Sequence, residues 1–63
     1  MKMYYVSSYS RWFVVETNNI RKAKSEGVQE FGKGRIKTVR VATNAEVKNF
    51  IAQKGIRALR ASL

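Results

Sequence analysis

Two segments rich in aromatic and β-branched residues open the chain, Met3-Tyr4-Tyr5-Val6 and Arg11-Trp12-Phe13-Val14-Val15-Glu16, with only Ser7-Ser8-Tyr9-Ser10 between them. Both have the composition of strands. A connection this short suits antiparallel neighbours, because a parallel pair needs a crossover of a dozen or more residues. The chain therefore begins as a β-hairpin, although its turn has no Gly or Asn to set the turn type.

After the hairpin, Thr17-Asn18-Asn19 supplies N-cap oxygens for a helix starting near Ile20. Ile20, Ala23, Gly27, Val28 and Phe31 then form one apolar stripe at helical spacing. Gly27 costs about 1 kcal/mol of helix propensity relative to Ala. Its place on the stripe points to close packing of helix on sheet. Phe31-Gly32-Lys33-Gly34 is a stop, with Gly32 suited to a left-handed C′ position. Arg35 to Val41 reads as a third strand. Its best register buries Val39 and Val41, leaving Ile36 and Arg40 on the other face; a slip or bulge near Ile36 is the alternative. Thr43-Asn44-Ala45-Glu46 is a capping box, and Val47, Phe50 and Ile51 form the buried stripe of the helix it starts, which Gly55 ends. Ile56, Leu59 and Leu63 share a helical stripe, with Arg57 and Arg60 off it.

The order β-β-α-β-α predicts an α+β fold: a single-layer antiparallel three-stranded sheet with two helices on one face and a short C-terminal helical turn or tail. Residues 1–55 form the compact domain, and residues 56–63 form a basic amphipathic extension. At 63 residues without cysteine, the chain has no disulfide to supplement a small core. Its expected stability is on the order of 3–9 kcal/mol, which makes a homodimer with a shared core a natural remedy. The 44% hydrophobic content is patterned, favouring a folded domain over a disordered basic tail. The longest wholly apolar run is Trp12-Phe13-Val14-Val15, too short to cross a membrane. The N-terminus has no signal-peptide pattern. A soluble, intracellular, cytoplasmic protein is expected.

Thirteen Lys and Arg face four Glu, with no Asp, His or Cys, for a net charge of +9. That balance points to a polyanionic partner. It also removes most of the groups that acid–base or nucleophilic catalysis and metal binding require. No enzyme activity, cofactor or metal is expected. Glu16, Glu26, Glu30 and Glu46 already have structural roles at a strand end, on a helix surface and in the capping box. Gly32-Lys33-Gly34-Arg35 has the wrong spacing for a phosphate loop and follows a helix instead of preceding one.

The cations fall into clusters. Arg21, Lys22 and Lys24 occupy the first turns of the first helix, where the helix dipole disfavours them by about 0.3–1 kcal/mol each. They are consistent either with an anion bound beside the helix start or with a solvated face on which Lys22 pairs with Glu26. Lys33, Arg35, Lys37 and Arg40 run from the glycine turn along the third strand. If Tyr5, Phe13 and Val15 are core positions, Tyr4 and Trp12 share the open sheet face with Arg40 as a stacking platform for single-stranded nucleic acid. Against this stands the commoner role of such aromatics in a core or a dimer interface. Arg57 and Arg60 suit a phosphate-contacting arm, with a solubilising end or a membrane-surface segment as alternatives; only three apolar anchors make the last the weakest.

The expected function is that of a small basic non-enzymatic nucleic-acid-binding protein, DNA- or RNA-binding, largely sequence-nonspecific through phosphate neutralisation. Its site residues would be Arg21, Lys22, Lys24, Lys33, Arg35, Lys37, Arg40, Tyr4 and Trp12. The alternative is a homodimeric interaction or regulatory protein whose basic surface binds an acidic protein partner. A third reading assigns the charge to solubility alone.

Overall fold

The computed structural model describes residues 1–62. The hairpin is formed by β1 (Lys2–Ser7) and β2 (Trp12–Thr17), with Tyr4 opposite Val15 and Val6 opposite Phe13. Ser8 does the work that Gly or Asn does in other turns. Its N–H donates to the Arg11 carbonyl at 2.8 Å, and its Oγ accepts from the N–H groups of Ser10 at 3.3 Å and Arg11 at 3.1 Å.

Helix α1 spans Ile20–Phe31. Of the three candidate caps, Asn19 is used: its Oδ1 accepts from the Lys22 N–H at 3.0 Å. Gly27 lies where α1 touches the sheet. A Cβ there would stand 2.6 Å from Val6 Cγ1 and 2.8 Å from Ile36 Cδ1, so glycine is required by close approach. Gly32 ends the helix with φ 102° and ψ 153°, its N–H donating to the Val28 carbonyl at 2.9 Å. Its carbonyl then accepts from the Arg35 N–H at 3.2 Å, closing a turn over Lys33 and Gly34.

Strand β3 covers Thr38–Val41, shorter than the expected Arg35–Val41, and lies antiparallel to β1 with Arg40 opposite Tyr5. Its start is irregular: Thr38 stands opposite Ser7, yet it is the Lys37 N–H that donates to the Ser7 carbonyl, at 2.7 Å. Ile36, before the strand, packs against Gly27 on the α1 side, not on the face of Arg40. Helix α2, Asn44–Lys54, begins with the expected capping box. The Thr43 Oγ1 accepts from the Glu46 N–H at 3.1 Å, and Glu46 Oε1 accepts from the Thr43 N–H at 2.9 Å.

The C-terminal segment departs from expectation. A single 3-10 turn at Ile56–Ala58 leads into β4, Arg60–Ser62, which pairs in parallel with Val15–Thr17 of β2. The sheet is therefore four-stranded and mixed, in the order β3-β1-β2-β4. Three residues are too few to show strand alternation, so the helical spacing of Ile56 and Leu59 dominated the sequence pattern. Leu63, the last member of that stripe, lies outside the described residues.

The fourth strand also determines where the helices go. Strands β2, β3 and β4 all run parallel to one another, with β1 antiparallel to them. The chain crosses from β2 to β3 through α1, then back across the sheet to β4 through α2. Right-handed crossovers in opposite directions require opposite faces. Accordingly α1 covers the face of Tyr4, Val6, Phe13 and Val39, with Gly27 against Val6 and Phe31 against Phe13 at 5.4 Å between centroids. Helix α2 covers the face of Tyr5, Trp12 and Arg40, with Phe50 5.6 Å from Trp12. The expectation of two helices on one face is corrected. The result is a helix–sheet–helix sandwich in which consecutive Phe13, Val14 and Val15 are all buried. Val6, Val14 and Val15 are wholly buried, each contributing about 1.5–3 kcal/mol.

Candidate nucleic-acid interface

The platform expected from Tyr4, Trp12 and Arg40 is not formed, because Tyr4 lies on the other face and α2 roofs part of this one. Strand parity puts Tyr4 beside Val15 and Val41 on the α1 side, where it is only 7% exposed and unable to stack on a ligand. Tyr5, expected in the core, takes the Arg40 face instead. Trp12 does share that face, but its ring stacks on Tyr5 at 5.5 Å and 29° and has Phe50 against it. It is half-buried within a stack. Arg40 caps the same stack, with Cζ 4.4 Å from the Tyr5 centroid.

Arg40 is also committed elsewhere. Its Nη1 and Nη2 donate to the two carboxylate oxygens of Glu46, each at 2.7 Å, in a bidentate pair. That guanidinium, followed by the Thr43 N–H, holds the Glu46 carboxyl down to about 2, while the Glu46 hydrogen bond raises Arg40 in return. A cation so matched adds little to an external field.

The remaining six cations do not form one surface. Arg21, Lys22 and Lys24 lie near the start of α1, and Lys33, Arg35 and Lys37 follow its end. Twelve helical residues at 1.5 Å each set these groups about 18 Å apart. Lys22 is half-buried and its N–H is already capped by Asn19. Among the described residues the ion pairs are Arg40–Glu46 and Arg60–Glu30. The expected pairing of Lys22 with Glu26 is not among them. Arg57 is exposed, whereas Arg60 lies over Phe13 and is bonded to Glu30 at 2.7 Å, tying the end of the chain to α1.

At the hairpin end of the sheet a cluster does form. Arg11 lies over the Phe31 ring, 5.2 Å from its centroid. Together with Arg35, Ser8, Tyr9 and Ser10 it lines a hollow of about 130 Å³. On the other side of the turn, Lys37, Thr38, Arg40, Tyr9 and Arg11 border a groove of about 360 Å³ floored by Tyr5 and Trp12. No carboxylate lines either depression. Arg11, Lys33, Arg35 and Lys37 are all exposed and stand outside both ion pairs. A third cleft, about 350 Å³ along the free edge of β2, is of mixed charge, since Glu30 lines it beside Arg60 and Lys54. Hydrogen bonding to Arg60 holds the Glu30 carboxyl below the usual range, so it stays anionic and discourages a second anion there.

Arg11 is the residue that the sequence pattern hides. It reads as a strand start, and only the pairing of β1 with both β2 and β3 brings it near Arg35 and Lys37. No helix among the described residues is long and apolar enough to cross a membrane. No protein-family model, curated protein or solved structure matches the chain.

Proposed function

We propose that the protein is a small non-enzymatic nucleic-acid-binding domain, and that it holds the phosphate backbone at the hairpin end of its sheet. The observation that carries this reading is the cluster of Arg11, Arg35 and Lys37, exposed, outside the ion pairs and bordering two depressions without a carboxylate, with exposed Lys33 two residues before Arg35. Arg21 and Lys24 supply a weaker second zone about 18 Å away. Sequence selectivity should be low, because the cationic cluster suits phosphates, which carry no sequence information. A nucleic-acid partner is in keeping with the expected cytoplasmic location.

Four neutralised phosphates give a slope of log affinity against log salt of about −3 to −4 on duplex DNA. Anisotropy titration of labelled oligonucleotides between about 20 and 200 mM salt measures it. An Arg35→Glu, Lys37→Glu double variant should bind more weakly and flatten the slope by about two. Absence of binding at low salt, or an affinity indifferent to salt, refutes the reading.

A second reading is favoured by β3. Its outer side is unpaired among the described residues, and Val41 at its end is 53% exposed. Such an edge suits self-pairing, giving a homodimer whose basic surface meets an acidic protein.

A further inference from the structure

We propose that Tyr9 at the hairpin tip is a base-stacking residue that makes the domain selective for single-stranded over duplex nucleic acid. The inference rests on the nucleic-acid reading of the same site and names the form of polymer it takes.

Tyr9 is 80% exposed, the highest value among the large hydrophobic side chains of the described residues. Its ring is not needed to make the turn. The hydrogen bonds that close it come from Ser8 and the backbone of Ser10 and Arg11, and none involves the Tyr9 side chain. The turn thus presents an aromatic ring on a well-tied support, which lowers the ordering entropy lost on binding. Tyr9 lines both depressions, between Arg35 in one and Lys37 in the other, with Arg11 bordering both. Phosphates drawn to those cations would lead a strand across the ring. Ser8, Ser10 and Thr38 line the same surfaces and offer hydroxyls to sugar and base edges.

The other aromatics are already engaged, Phe50 being buried, Phe31 lying under Arg11 and Tyr5 under Arg40. Tyr4 and Phe13 are buried, and Trp12 is held between Tyr5 and Phe50. Selectivity follows from the base. In a duplex both faces of a base are covered by its neighbours, whereas a single strand exposes faces that can stack on an aromatic ring. A stacked base changes affinity by about 5- to 150-fold on alanine substitution.

The test titrates the parent, Tyr9→Ala, Tyr9→Trp and the Arg35→Glu, Lys37→Glu variant against single-stranded DNA, single-stranded RNA and duplex DNA of equal length. Tyr9→Ala is expected to weaken single-strand binding by about 5- to 150-fold, with the salt slope and the duplex affinity unchanged. Tyr9→Trp should retain single-strand binding. A Tyr9→Ala loss on either single strand supports the assignment, and the sugar bound more tightly identifies the polymer. If Tyr9→Ala binds single strands like the parent while the charge variant does not, the stacking role is overturned and the phosphate reading stands. Equal losses on single strands and duplex also overturn it. If the parent binds no oligonucleotide, both readings fall together.

Discussion

Glu46 serves two partners with one carboxylate. It closes the capping box on the Thr43 N–H and holds Arg40 in a bidentate pair. Its carboxyl sits at about 2, below the ordinary 4.5. A depressed carboxyl stabilises the fold above its ordinary value, and that contribution fades as pH falls through the folded one. Acid unfolding should therefore weaken the parent progressively between about pH 4.5 and 2. Glu46→Gln should lose about 0.5–1 kcal/mol at neutral pH and unfold with a shallower acid dependence. Chemical denaturation across that pH range measures both; an unchanged acid slope would assign the effect elsewhere. The capping box was visible in the sequence because its two halves are three residues apart. Its third partner, Arg40, was not, since strand parity decides which way Arg40 faces. The same ambiguity exchanged Tyr4 and Tyr5: adjacent aromatics in a strand carry no label for their faces when both faces are buried.

At the level of elements, the hairpin, both helices and their caps were legible because each rests on local chemistry. Strand β4 was not. Its support is long-range, from pairing with β2 and from Arg60, which lies over Phe13 and reaches Glu30. Exposed pairs and cation–π contacts contribute about 0.5–1 kcal/mol each. Arg60→Ala should cost about 1 kcal/mol and speed hydrogen exchange chiefly at the β2 amides facing β4, while the β1–β3 ladder keeps its protection. Uniform acceleration would show that β4 opens only with the whole domain. One sequence feature did report the second roof: Phe13-Val14-Val15 is a continuous apolar run, the mark of a strand covered on both sides. Treating it as one half of an alternating strand concealed the position of α2.

For the whole molecule, helices cover both faces of the sheet, and Arg11, Arg35, Lys37 and Arg40 gather at its hairpin end while the other cations lie elsewhere. The candidate site was thus half legible: Lys33, Arg35 and Lys37 are neighbours in sequence, but Arg11 and Tyr9 join them only through the turn of the hairpin. A net charge of +9 opposes self-association. Sedimentation should accordingly show a monomer at low salt. A dimer that grows with salt and disappears in Val41→Lys would move the homodimer reading ahead of the first.

Parallel pairing of the final strand has a kinetic side. Val15 meets Arg60 nearly at the opposite terminus, a long closure whose entropy is lost before any contact compensates. Only the hairpin zips through a short closure, since β1 meets β3 across 31 to 37 residues and β2 meets the last strand across 45. Assembly of this small body is thereby ordered in time, with its tail the late arrival and the early leaver.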